Sequence, residues 1–316
     1  MAGKLERADW GPLRGNWATL LLPIGEDGSI DMARLGDEID AAIAAGVDGI
    51  YSNGTAGELH NQTEAEFDAI QHLLADKCAA AQMPFVIGAC QPDPTLALHR
   101  LKRTASLKPH GFQVILPDWW PLNDLEVIDF LAMASDAAGD TPLILYNPPH
   151  AKRVLAPAEL ARALQTAPRF VGVKLADGDE AWYAEATAHL DAWTLFVPGH
   201  HLATGVKAGV AAGAFSNVAC LNPRGAQLWT EMMRTDIAAA LDIEKRICAF
   251  MDEHIVPFRR DHGYSNAALD KLLAAIGNWA PVGTRLRRPY RWIDEAEAKR
   301  LRPAAHGMIP EIMSAR

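Results

Sequence analysis

The chain has 316 residues, of which 49% are hydrophobic and 22% charged, with a formal net charge of −9. This length suggests about two domains, or one α/β barrel, a fold that often runs to ~250 residues or more. The acidic balance argues against a nucleic-acid surface, and the longest apolar runs are too short and too interrupted to span a membrane as a helix.

The opening segment MAGKLERADWGPLRG has no apolar core of the signal-peptide kind. After it, eight short β-like runs follow in order. They begin near Asn16 (NWATLLL), Asp48 (DGIYSN), Pro84 (PFVIGA), Gly111 (GFQVIL), Pro142 (PLILYN), Phe170 (FVGVK), Trp193 (WTLFV) and Gly213 (GAFSNV). Helix-like segments separate them. Ser29 to Ala45 has the 3.6-residue period and stops at Gly46. Thr63 and Glu66 are spaced as a capping box, and Asp124–Ala138 and Pro157–Gln165 repeat the helical pattern. Strand then helix, eight times, predicts a parallel sheet with crossover helices, and eight units fit a closed (β/α)₈ barrel better than an open sheet. A Rossmann-type sheet is disfavoured because no GxGxxG follows the first strand. After Asn222 the pattern turns to helices alone: Arg224–Arg234, Ile237–Phe258, Ala267–Ile276 and Asp294–Arg300. The expected division is a barrel over residues 1–222, with a short N-terminal lead, and a helical extension over 223–316 packed on it. Cys78, Cys90, Cys220 and Cys248 are scattered, without CxxC spacing, which reads as reduced thiols in a cytoplasmic protein.

In a barrel, the chemistry gathers at the C-terminal ends of the strands. There the sequence places SNGTAGE (52–58), LPDWWPLN (116–123), YNPPH (146–150), Lys174, PGHH (198–201) and FSNV (215–218). Lys174 closes the apolar run FVGV, where burial disfavours an ammonium. Either its side chain reaches solvent or the protein uses the destabilised charge. Once deprotonated, a lysine attacks a carbonyl and forms an imine, and the protonated imine is an electron sink for an adjacent carbanion. Such chemistry also needs a proton shuttle and an anchor for a carboxylate. Tyr146, one strand away, is suited to the first. The GTAGE loop, with small residues and free N–H groups ahead of a helix, suits the second.

GTAGE (54–58), LYNPP (145–149), GVK (172–174) and AGAFSNV (212–218), in this order and spacing over about residues 15–290, resemble the marker segments of the dihydrodipicolinate synthase/N-acetylneuraminate lyase family. The tail KLLAAIG…RRP resembles that family's closing helix and turn. The resemblance implies a pyruvate-type class I aldolase on a (β/α)₈ barrel. Lys174 then matches the Schiff-base lysine and Tyr146 the proton-shuttling tyrosine. Thr55 matches the loop hydroxyl that binds the keto-acid carboxylate, with Ala56 beside it offering only its backbone N–H. Phe215 matches a residue lining the pyruvate pocket and Gly199 a glycine near the acceptor. The implied substrates are a 2-keto acid and an aldehyde, with no cofactor, and the implied assembly is a homotetramer built as a dimer of dimers.

Two departures argue against dihydrodipicolinate synthesis itself. Ala151 stands where synthases carry an arginine for the aldehyde's carboxylate, with Lys152 and Arg153 following it. Asp118-Trp119-Trp120 replaces the tyrosine pair after the fourth strand. Trp119 and Trp120 read as core or subunit interface, or, with Trp119 as the candidate, as substrate contacts. No metal-ligand spacing accompanies His200-His201, so no metal is expected there. The RLRR cluster (285–288) reads as a solvated or inter-subunit face. Dehydration or deamination through the same imine, dihydrodipicolinate synthesis, and keto-acid binding without turnover remain as alternatives to aldol chemistry.

Overall fold

The computed structural model describes residues 13–176 and 178–315; the N-terminal lead, as far as residue 12, lies outside them. Eight parallel strands close in sequence order into a barrel: β1 (Gly15–Thr19), β2 (Gly49–Ser52), β3 (Phe85–Gly88), β4 (Gly111–Ile115), β5 (Leu143–Asn147), β6 (Phe170–Leu175), β7 (Thr194–Phe196) and β8 (Gly213–Ser216). β1 pairs with β8, with Gly15 opposite Gly213 and Trp17 opposite Phe215. The fold is therefore the TIM barrel that the alternation predicts, followed by a run of helices.

The barrel interior is filled rather than open. Trp17, Tyr51, Val86, Ile144, Phe196 and Phe215 pack against one another inside it, with Leu13. Phe215 lies 4.5 Å from Tyr51 and 4.6 Å from Phe196 by ring centroid. A second, larger apolar layer lies between the strands and the helices and extends into the C-terminal helices.

Local chemistry sets the helix limits. Thr63 and Glu66 form the expected reciprocal cap, and Asn123 with Glu126 forms another at the start of Asp124–Ala138. The first helix begins at Met32 instead of Ser29. Asp31 accepts from the N–H groups of Ala33 and Arg34, while Ser29 is held in a turn by Asp27. The helix expected over Ile237–Phe258 continues to His262 and contains a π-helical turn, Met251–Ile255, between Ile237–Phe250 and Val256–His262. Pro257 has no N–H to donate and its ring crowds the preceding turn. Widening the turn just before it lets the helix go on. The helix Asn266–Gly277 packs closely on Asn217–Leu221, the short helix that follows β8.

Within the RLRR segment Arg288 is exposed, as a solvated face requires, but Arg287 departs from that reading. Arg287 is not a solvated surface residue: it pairs with Glu66 and donates to the carbonyls of Gly28 and Asn61. Those carbonyls, left open at turns, need a donor, and the C-terminal strap supplies one across the barrel mouth. Among the described residues, none of the four cysteines is joined in a disulfide. Among the described residues, no helix is long and apolar enough to cross a membrane.

Candidate active site

Lys174 lies near the end of β6, and its register partner on β5 is Tyr146. Neighbouring strands put paired residues side by side, so both side chains reach the same mouth. The Lys174 ammonium sits 4.1 Å from the Tyr146 ring centroid, 5.4 Å from Phe215 and 5.5 Å from Tyr51. Three aromatic faces thus surround the nitrogen, and no carboxylate forms an ion pair with it among the described residues.

These groups open into a cavity of about 510 Å³. Thr55 and Ala56 of the GTAGE loop, Tyr146, Lys174, Gly199 and Phe215 all line it. Six of the seven residues singled out from sequence therefore meet at one site. The seventh, Trp119, does not. It is 84% exposed, it lies outside the cavity, and the Lys152 ammonium rests over its ring. The segment after β4 turns outward because Asp118 accepts from the Lys152 backbone and Lys152 donates to the Trp119 carbonyl.

The carboxylate anchor has the form expected of a backbone cradle. The Thr55 carbonyl accepts from Glu58 N and the Gly54 carbonyl from Leu59 N, which leaves the N–H groups of Thr55 and Ala56 without a partner among the described residues. Asn53 and Glu58 both take positive φ, 58° and 50°, to fold the loop this tightly. Gly54 allows the loop to lie against Tyr51, since a Cβ there would sit 2.5 Å from the Tyr51 hydroxyl. Tyr51 itself donates to Gln113 at the floor, and burial holds its pKa well above the usual phenol value. No hydrogen bond joins Tyr146 to Thr55 in this structure, although both line the cavity.

The loop is fixed from behind by a buried ion pair. Glu58 accepts from the Lys271 ammonium at 2.6 Å, and Lys271 also donates to the Arg285 carbonyl. Burial lowers the Lys271 pKa, and Glu58 opposes that shift.

The far wall joins His200 and Asn217, from the PGHH and FSNV segments at the strand ends, to residues from the C-terminal helices that motif reasoning did not reach. His200 and Asn217 hold each other through the His200 backbone N–H and ring Nδ1. Burial, with His201 beside it, brings the His200 imidazole down to about 4, so it is neutral at pH 7. Asn266, Leu269, Asp270 and Leu273 enter from the helix Asn266–Gly277, and Met251, Ile255, Arg259 and Arg260 from the π-helical turn and the segment after it. Arg260 pairs with Asp261, whereas Arg259 forms no ion pair among the described residues. Burial pushes the Asp270 carboxyl up to about 7 against the opposing influence of Lys174. Asp270 and Arg259 lie far beyond the strand ends in sequence, and no local pattern marks them. No group of three or more His, Cys, Asp or Glu among the described residues is placed to hold a metal ion.

A smaller cavity of about 150 Å³ adjoins the first through Thr55 and Tyr146 and reaches His150, Ala151 and Arg153. Ala151 offers no charge there. Arg153 is already engaged, by the Leu122 carbonyl and the Asp124 carboxylate.

Residues 12–306 match the model of the dihydrodipicolinate synthetase family. The 4-hydroxy-tetrahydrodipicolinate synthase of Acidiphilium cryptum is 29% identical over 298 residues, covering 93% of this chain and 98% of that protein. The N-acetylneuraminate lyase of Escherichia coli strain SE11 is 27% identical over 172 residues, 53% of this chain and 56% of that one. Among solved structures, a prophage protein of the dihydrodipicolinic acid synthase family from E. coli K12, in complex with pyruvate, superposes with a TM-score of 0.81 at 21% identity, covering 94% of this chain and 98% of that one. The N-acetylneuraminate lyase of Fusobacterium nucleatum superposes equally well, at 0.81 and 18% identity, covering 95% and 100%. With its marker segments meeting at one barrel mouth, the chain belongs to the dihydrodipicolinate synthetase family, a family of Schiff-base, pyruvate-type lyases.

Proposed function

We propose that this chain makes or cleaves a carbon–carbon bond between pyruvate, or a related 2-keto acid, and an aldehyde that differs from aspartate semialdehyde. In this reading the Lys174 amine attacks the ketone and, with loss of water, forms an imine. The backbone N–H groups of Thr55 and Ala56, with the Thr55 hydroxyl, hold the carboxylate. Tyr146 moves the proton between the methyl carbon and the medium, and Gly199 and Phe215 shape the pocket. The observation that carries the reading is the Lys174 ammonium 4.1 Å from the Tyr146 ring, inside a cavity and without an ion-pair partner among the described residues.

The acceptor is inferred from what the β5 side of the site does not offer. Ala151 holds no guanidinium, and Arg153 is committed to Asp124. One lost charged contact costs ~1.5–3 kcal/mol, roughly ten- to a hundredfold in specificity. A second reading, an acceptor with a distal carboxylate held from the opposite rim, is favoured by Arg259 alone.

Trp119 and Trp120, 84% and 76% exposed, are read as subunit contacts, in a cytoplasmic homotetramer. Light scattering at micromolar concentration tests the assembly, and a monomer refutes it.

The central test is pyruvate with borohydride, followed by peptide mass spectrometry. The expected product is one reduced adduct on Lys174. Full pyruvate occupancy with Lys174 unmodified would sink the reading. Comparison of kcat/KM for aspartate semialdehyde and for uncharged aldehydes then tests the acceptor. A tenfold advantage for the semialdehyde would make the chain a dihydrodipicolinate synthase.

A further inference from the structure

Asp270 occupies an unusual place for a carboxylate. It lies in the second turn of Asn266–Gly277, half-buried, in the wall of the cavity that contains Lys174. No described residue donates a hydrogen bond to it and none forms an ion pair with it. Next to it in sequence, Lys271 points the other way and is spent on Glu58 and the Arg285 carbonyl. Lys174 acts electrostatically on Asp270 yet the two do not pair, and both line the cavity in which a substrate would sit.

Its position is also complementary to that of Tyr146. Tyr146 flanks Lys174 from β5, whereas Asp270 approaches from the helix that packs on Asn217–Leu221, after β8. Asn266, four residues earlier on the same helix, lines the same cavity. A buried carboxyl without a donor is costly to keep unless its proton is useful or a ligand completes it.

Building on the imine reading above, we propose that Asp270 is a further catalytic residue, the acid–base group for the oxygen of the aldehyde acceptor. In condensation, the enamine carbon forms the new bond to the aldehyde carbon and the enamine nitrogen becomes iminium. The carbonyl π pair moves onto oxygen, which takes the Asp270 proton. Water then hydrolyses the iminium to free the Lys174 amine and the aldol. In cleavage, the Asp270 carboxylate takes the hydroxyl proton as the same carbon–carbon bond breaks toward the iminium. Tyr146 serves the methyl carbon in both directions, so the two halves of the reaction have separate proton carriers.

The charge state fits the role. Burial pushes the Asp270 carboxyl up to about 7, where both forms are available at neutral pH. The titratable and charged groups that line the same cavity are Lys174, Tyr51, Tyr146, Cys220, His200, Arg259 and Arg260. Burial keeps the Cys220 thiol well above its ordinary range and brings His200 to about 4, so neither competes for a transition near 7.

The experiment compares wild type with Asp270→Asn and Asp270→Ala in two assays. The first is exchange of pyruvate methyl protons in D₂O, which needs the imine and enamine but no acceptor. The second is cleavage of 4-hydroxy-2-oxopentanoate and of 4-hydroxy-2-oxo-4-phenylbutanoate, followed as pyruvate release. Expected for both variants is cleavage lowered ~10²–10⁴-fold, the size of a general acid–base contribution, with exchange lowered far less than cleavage. In wild type, kcat/KM for cleavage should rise with pH through about 7, since the carboxylate is the active form, and Asp270→Asn should abolish that rise. Formate should restore part of the cleavage in Asp270→Ala, which a purely structural residue would not allow. Cleavage within threefold of wild type in Asp270→Asn overturns the assignment. So does a wild-type protein that exchanges pyruvate protons yet cleaves neither aldol, because the carboxyl then has no alkoxide to serve. Wild type that neither exchanges nor forms a borohydride adduct fails at the imine itself, and the assignment of Asp270 falls with it.

Discussion

Replacing Lys271 with Met isolates the buried ion pair behind the GTAGE loop. The two side chains are almost fully enclosed, 0% accessible for Lys271 and 2% for Glu58. Lys271 donates at 2.6 Å to both the Glu58 carboxylate and the Arg285 carbonyl, and the other Glu58 oxygen accepts only the Arg287 backbone N–H, at 3.3 Å. Methionine keeps most of the stem volume, so little cavity is made. What is lost is the ammonium, which leaves the buried Glu58 carboxylate with one long hydrogen bond. Removing one partner of a buried pair costs ~3–5 kcal/mol, most of it the stranded charge rather than the net worth of the pair. Equilibrium urea unfolding at fixed protein concentration, followed by tryptophan fluorescence, reads this directly. Adding Glu58→Gln to Lys271→Met removes the stranded charge and should recover ~1.5–3 kcal/mol, the value of a charged hydrogen-bonding group left unmade. A Lys271→Met protein within 1 kcal/mol of wild type, or a double variant no more stable than the single one, would refute this account.

Tyr146→Phe should retain the fold and borohydride trapping but lose ~10²–10⁴-fold in pyruvate proton exchange; exchange at the wild-type rate would make the hydroxyl structural. Lys174→Ala should lose at least ~10³-fold in turnover, measured by pyruvate release, and a smaller loss would show that the imine is not on the main path. Glu38 is buried, with one oxygen bonded to Leu21 N and the other unpartnered, and burial raises its carboxyl from 4.5 to about 8. The folded state keeps a proton that the unfolded state releases, so stability falls as pH rises from about 4.5 to about 8, by up to about 1.4 kcal/mol per unit. Between pH 7 and 8, in the upper half of the Asp270 transition, Glu38→Gln should remove most of the slope in urea midpoints; an unchanged slope would place the titration elsewhere. Gly277→Ala should destabilise by ~1–3 kcal/mol or more in the same unfolding assay, because its Cβ would overlap the Leu221 carbonyl where two helices cross; a neutral effect would mean that the helices separate at no cost.

The alternation of apolar strand runs with capped helices was enough to specify a closed parallel barrel, because each signal is local. Short continuous apolar runs such as FVI (85–87) and LIL (143–145), and a capping box such as Thr63 with Glu66, act within a few residues of themselves. Barrel geometry then did the rest. Once the strands are assigned, their C-terminal ends must converge, so Lys174, Tyr146 and Thr55 could be placed at one mouth from spacing alone.

Other features depended on contacts between distant segments. Trp119 follows a strand as Thr55 does, yet its loop turns outward because Asp118 and Lys152, more than 30 residues apart, fasten it there. Arg287 looked like a surface arginine until Glu66, over 200 residues earlier, came beside it. Asp270 has the strongest case: its helix reads as an ordinary amphipathic segment, and only the packing of that helix on Asn217–Leu221, after β8, brings its one carboxyl into the cavity of Lys174. Local periodicity says which face of a helix is apolar. Which polar residue on its margin becomes buried, and beside what charge, is decided by packing across the chain, and that is where the raised carboxyl, the neutral His200 and the buried Glu58–Lys271 pair arise.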